Sequence, residues 1–374
     1  MNNIKLKNTI NNKINNGEKD FLIVKEKIFI CNRQKTLVYV SLGKIISSYG
    51  VIALHLNDFW NFNLTNVRIW NIANFYQSLF YYSVPIFILS IGATLLNFNQ
   101  KYGLLEYNKK RIVKVFIPLL GWNFILYLYK AYILNTIPKE NFNFYSLWNY
   151  FFSSKVYHIF DSLHIFLLTY MLVPLVAFIE KSNKIRIYIY YFFILLVTQS
   201  IIPYIITLFG NKIIWIYNLN IGYLIYIFAG YIIHNYIFSK FTKVIIYFLG
   251  ISSFFVDLIG THVLTFKYKK IIIIHKGYLN LPCILYSCSL FLFLKEYCYL
   301  ILKIINEKYI NKLGSLTLGP FFMHLAIRET FHKFIKFNNL IGFNLIFRSL
   351  LLFLLCIFFS YVLKKIPLVK ILVP

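Results

Sequence analysis

Two ionisable residues bracket the apolar stretch KIISSYGVIALH, residues 44–55. Lys44 and His55 are eleven residues apart. At about 100° per residue that is close to three whole helical turns, so both project from one face, ~16 Å apart along the axis, with Ser48 and Val51 between them. An ammonium group suits an anionic ligand and an imidazole suits proton transfer. The plainer alternatives are a lysine that snorkels to the headgroups and an interfacial histidine bonded to a neighbouring carbonyl. Ionisable residues inside an apolar span are functional candidates because burying them is costly. Asp58 follows His55 by three residues, close enough to contact it one turn on.

Further polar groups stand near apolar runs. EYNKKRIVKVFIP, residues 106–118, gathers Lys109, Lys110, Arg111 and Lys114. Such a patch either anchors a helix at the positive side of the membrane or clamps phosphates, through the arginine fork and the lysine point charge. VYHIFDSLHIFLLTYMLVP, residues 156–174, carries His158, Asp161 and His164 at i, i+3, i+6. A metal is conceivable at that spacing, but neither histidine has a partner at i+4 and no glutamate base is near, so aromatic interface packing fits better and no metal site is expected. Asp257, His262 and His324 complete the polar residues in or near spans, each suited to a cavity wall or to a helix–helix contact.

The elements that must position these residues follow from composition. Charged residues make up 14% of the chain and hydrophobic ones 59%, and the mean hydropathy is +0.65. A soluble domain carries roughly 25% charged residues, so this composition excludes an ordinary soluble protein. Apolar runs of helical length recur throughout. The expected fold is an all-α polytopic membrane protein with about ten spans, near 37–56, 75–96, 113–134, 160–179, 187–208, 214–234, 244–262, 278–297, 313–331 and 341–363. An outer-membrane barrel would show ~10-residue alternating segments instead. The ninth span is the least hydrophobic, and Pro320 inside it predicts a kink or break.

Residues 1–36 read as a cytoplasmic tail without a signal peptide, 37–363 as the transmembrane domain and 364–374 as a second cytoplasmic tail. With the N-terminus inside, 25 of the 39 lysines and arginines fall in inner segments and 11 in outer ones, which favours both termini in the cytoplasm. The net charge of +27 then reflects lysines flanking spans; no basic helix stands apart from the membrane, and no nucleic-acid partner is expected. The five cysteines lack metal or disulfide spacing. Lys267, Lys269, Lys270 and Lys276 share one outer loop, suited to an anionic glycan.

In order along the chain, these motifs resemble those of acyltransferase family 3, integral membrane enzymes with about ten spans. KIISSYGVIALH is similar to the family's Arg-(ten residues)-His, with Lys44 in the arginine's place. VPIFILSIG at 84–92 resembles VPLFFMISG, and KRIVKVFIP resembles KRxxRxxxP with Lys114 for an arginine. VYHIF…YMLVP is similar to YHLWFL…YLLTP, IGYLIYIFAGYII at 221–233 to YFLLGYYL, and LGSLTLGPFFMH to SxxSFGIYLIH. Ser41 stands where an aspartate is common. The matches run from 37 to about 330.

The resemblance implies helices around a central cavity in the plasma membrane. It implies transfer of an acyl group, usually acetyl, from cytoplasmic acetyl-CoA or another acyl-CoA to a hydroxyl of an extracytoplasmic polysaccharide or glycolipid. Donor phosphates would rest on Lys44, Arg111 and Lys114. His55 would act as general base or brief acyl carrier, and Asp58, His158 and His324 would contact the acceptor or line the cavity. Besides donor and acceptor, the expected partner is the lipid bilayer. The competing readings are a polysaccharide exporter or flippase, against which the lack of internal repeats argues, and a non-catalytic relative in surface-polymer assembly.

Overall fold

The structure is a computed structural model, and it describes residues 37–57, 66–137, 145, 149, 157, 159–179, 183–210, 220–334 and 343–373. Among these residues all regular secondary structure is helical, with no strand. We number the helices α1 (Val38–Leu56), α2 (Val67–Phe80), α3 (Ser83–Leu95), α4 (Leu104–Ile133), α5 (Ile159–Ala177), α6 (Lys184–Leu208), α7 (Leu224–Asn235), α8 (Lys240–Tyr268), α9 (Leu281–Leu302), α10 (Glu307–Gly314), α11 (Leu318–Phe334) and α12 (Phe343–Lys365).

Each expected span meets a helix, while the described residues alone do not establish the count of ten. Among the described residues, seven segments are long and apolar enough to cross a bilayer, α2 and α3 counting as one. Ile221–Asn235 is a shorter apolar helix, and α5 contains the apolar run His164–Ala177. α11 is continuous but carries His324, Arg328 and Glu329, which lower its hydropathy. The break expected inside the ninth span also moves. It lies before Leu318, where α10 ends and α11 begins, and Pro320 sits in the first turn of α11, where its missing N–H costs nothing. The second span is likewise two helices, divided at Tyr81–Tyr82.

Proline shapes two other helices. Pro118 and Pro203 lack the N–H that an α-helix would give to the carbonyl four residues back. Each follows a π turn, Ile112–Phe116 in α4 and Val197–Ile201 in α6. The wider turn accommodates the proline without ending the helix.

α1, α3 and α7 form the interior. Gly92 and Gly230 let α3 and α7 touch backbone to backbone: a Cβ on Gly92 would stand 2.0 Å from the Ile227 carbonyl oxygen, and one on Gly230 2.1 Å from that of Leu89. Around them α6, α8 and α12 present exposed apolar side chains such as Phe193, Phe248, Val263, Phe347 and Phe358, as a lipid-facing surface requires. Two lysines close helix ends. Lys184 is buried and donates to the Leu96 and Ala177 carbonyls at 2.7 and 2.8 Å. Lys295 donates to the Ile233 and His234 carbonyls at 2.6 and 3.0 Å. Both satisfy the last carbonyls of helices that have no intrahelical donor left.

Candidate functional site

α1 carries the site at its two ends. At the first end Lys44 is half-buried and lies within electrostatic reach of Arg111 and Lys114 from α4. The π turn Ile112–Phe116 starts directly after Arg111 and contains Lys114, so Pro118 indirectly sets how the two cations are presented. The Arg111 guanidinium lies 5.4 Å from the Tyr107 ring and 5.5 Å from that of Tyr170. Those rings are tied together, since the Tyr107 hydroxyl donates to the Tyr170 carbonyl at 2.8 Å. Among the described residues, Arg111 Nε is buried with no hydrogen-bond partner. The three cations expected to hold a donor are thus assembled by α1 and α4. α12 adds one that the sequence did not single out: Lys364, within electrostatic reach of Lys114.

At the other end His55 meets His324 of α11, with ring centroids 5.2 Å apart and planes inclined by 44°. His324 is 1% exposed. Its Nδ1 lies 2.8 Å from the Pro320 carbonyl oxygen. A carbonyl can only accept, so Nδ1 carries the proton and Nε2 holds the lone pair of the neutral ring. Among the described residues, that Nε2 is buried and has no hydrogen-bond partner. In that tautomer Nε2 is able to accept a hydrogen bond.

Arg328 completes this end. It follows His324 by four residues on α11 and donates from Nη1 to the His55 carbonyl at 2.6 Å, capping one of the orphan carbonyls of α1. It therefore holds the turn that presents His55. Asn57 fixes the same turn from the other side, donating to the Ala73 carbonyl of α2 at 2.8 Å. Beyond lie further polar groups: Tyr157 donates to the Glu329 carboxylate, Lys130 Nζ sits 3.9 Å from the Tyr157 ring centroid, and the Tyr129 and Thr330 hydroxyls are 2.7 Å apart. Between the two ends, Ser48 donates to the Thr317 carbonyl at 3.2 Å and anchors the link that precedes α11.

Asp58 and His158 lie outside the described residues, as does the Asp161 side chain. His164 is half-buried in α5. Asp257 and His262 belong to another region. His262 Nδ1 lies 2.8 Å from Asn71 Oδ1. Asp257 pairs with Lys276 at 3.0 Å, and Lys276 also donates to Ser78 Oγ at 2.6 Å. Lys276 is 4% exposed, so it is turned inward and unavailable to a glycan. Burial pushes its ammonium below the usual lysine range, and the Asp257 carboxylate partly offsets this. His275 beside it is likewise pushed down, chiefly by burial, and its Nδ1 lies 2.5 Å from the Tyr204 hydroxyl.

The arrangement is a cation cluster and an imidazole pair joined by one helix. The first can hold phosphates; the second can take a proton from an alcohol in a setting largely closed to water. The family model for an acyltransferase domain matches residues 37–365. No curated protein and no solved structure matches the chain.

Proposed function

The chain belongs to acyltransferase family 3, and from that premise we propose that this membrane acyltransferase moves an acetyl group from cytoplasmic acyl-CoA to a hydroxyl of an extracytoplasmic polysaccharide or glycolipid. Lys44, Arg111 and Lys114, joined by Lys364, bind the donor's phosphates. The thioester reaches along α1, a path of about 16 Å, to the histidine pair. His55 takes the proton of the acceptor hydroxyl as its oxygen attacks the thioester carbonyl. The carbon–sulfur bond breaks, the thiolate leaves and is reprotonated, and the products are an ester and free CoA. His324, with its lone pair on Nε2, stands beside His55 to share or relay the proton. Exclusion of water from such a site suppresses hydrolysis of the thioester.

The observation that carries this reading is the His55–His324 contact at one end of a helix whose other end meets the cations. The positive-charge bias of the segments supports a plasma-membrane protein with both termini in the cytoplasm. The test uses purified protein, radiolabelled acetyl-CoA and a panel of glycan acceptors. Label should pass to an acceptor with wild type and fall to background with His55→Ala. Transfer unaltered in that variant would overturn the site, and no transfer with any acceptor would favour an exporter.

A further inference from the structure

Away from the histidines, one stripe of α12 has a use that the acyl transfer does not supply. Leu354, Phe358, Tyr361 and Lys365 recur at intervals of four, three and four residues and so share a face. Opposite stand Tyr309, Lys312 and Leu313 of α10, and Leu316 just after it. Between the two runs an open groove of ≈ 450 Å³. Its floor is apolar and faces outward, with Leu354 55% and Phe358 59% exposed. Its upper end is cationic. Lys312 Nζ lies 4.8 Å from the Tyr361 ring centroid and Lys365 Nζ 4.6 Å from the same centroid. Among the described residues, neither lysine is ion-paired with a carboxylate.

Two ammonium groups beside one ring concentrate positive charge there, and an anion near them offsets it. From Lys365 to Leu354 the stripe is ~16 Å long, about one leaflet of a hydrocarbon core that is ~30 Å thick. The groove therefore offers a charged head and an apolar slot of one-leaflet length in the order a phospholipid presents them. Lys364, next in sequence to Lys365, does not join the pair at Tyr361: it reaches for the Ser315 carbonyl at 3.4 Å and lies within electrostatic reach of Lys114.

We infer that this groove binds an anionic phospholipid of the adjoining leaflet, its phosphate between Lys312 and Lys365 and an acyl chain along Phe358 and Leu354. The occupant would tie α10 to α12. α10 in turn is fastened to α1, since Ser41 Oγ donates to Asn311 Oδ1 at 2.8 Å and a Cβ on Gly314 would stand 2.8 Å from that of Ser41. The lipid would thus brace the segment that leads into α11. This inference does not rest on the reaction proposed above.

Native mass spectrometry of the full chain, equilibrated with equal amounts of phosphatidylglycerol and phosphatidylcholine of the same chains, tests it. Wild type should retain phosphatidylglycerol preferentially, and the double variant Lys312→Ala/Lys365→Ala should lose that preference by on the order of tenfold or more. Lys303→Ala/Lys308→Ala, which removes two exposed lysines at the same end, should leave it intact. Leu354→Trp, which fills the slot and keeps both cations, should weaken retention of the diacyl lipid. Melting curves confirm that each variant is folded. An unchanged preference in the Lys312/Lys365 variant, an equal loss in the control, or displacement of the lipid by equimolar glycerol phosphate alone would each overturn the assignment.

Discussion

The His55–His324 pair and the Asp257–Lys276 pair are both polar centres set among apolar helices, and they are completed differently. Lys276 spends its hydrogens on Asp257 and Ser78, Thr261 Oγ1 reaches Asp257 Oδ1 at 3.5 Å, and neighbouring His275 meets Tyr204. A Cβ on Gly260 would stand 2.4 Å from His275 Nε2, so the helix also closes on that ring. Charge and hydrogen bonds are answered from within the protein. At the histidine pair the backbone side is answered, through Pro320 and Arg328, while among the described residues His324 Nε2 has no hydrogen-bond partner. A satisfied buried group holds structure together. A buried acceptor kept open in a fixed tautomer is disposed to receive something else.

This contrast predicts that damage to the two centres will show in different measurements. Asp257→Asn leaves Lys276 buried without a counter-charge and should cost about 3–5 kcal/mol of stability. Chemical or thermal unfolding in detergent would read it, and transfer per folded molecule should stay at the wild-type level; a loss of transfer in fully folded variant would move Asp257 into the site. His324→Ala should do the reverse, lowering kcat by about a hundredfold, the lower end of a general-base effect because His55 remains. Its melting curve should change little, and wild-type kcat would reduce His324 to a wall residue.

Smaller effects sharpen the picture. Lys44→Ala should raise the KM for the acyl-CoA donor roughly tenfold, the scale of one charge-assisted contact, while Lys44→Arg should hold or lower it. Equal KM values in all three proteins would mean that the lysine only reaches for headgroups. The smallest effect concerns pH. Lys276 has its folded-state pKa below the value of about 10.5 that the unfolded chain would show. The unfolded state then binds more protons between those two values, so this group's contribution to stability rises with pH through that window and is flat below it. The stability of wild type relative to Lys276→Met should therefore increase on going alkaline; a flat or falling difference would contradict the assignment.

Much of this site could be read in the sequence, for reasons that differ by residue. Lys44 and His55 were legible because helical periodicity alone aligns them. Arg111 and Lys114 were legible as a basic run, although the π turn between them was not, since its cause is Pro118 four residues beyond Lys114. The pairing of His55 with His324 joins residues 269 apart, and no local pattern encodes it. Arg328 was not legible because at the end of the ninth span it reads as one more cation flanking a helix, whereas in the structure it turns onto the end of α1. Lys276 was misplaced for a related reason. A loop lysine looks solvated until its carboxylate, 19 residues earlier, is known to face it. The place of each span was legible from apolar content, whereas the start of α11 was not: it begins at Leu318, after a separate amphipathic α10.

The most direct test compares the two centres in one assay. Labelled acetyl transfer from acetyl-CoA to a glycan acceptor is measured per folded molecule for wild type, His55→Ala and Asp257→Asn in the same preparation. The structure predicts transfer at background for His55→Ala and at the wild-type level for Asp257→Asn. Transfer that survives in His55→Ala, or that disappears only in Asp257→Asn, would contradict it.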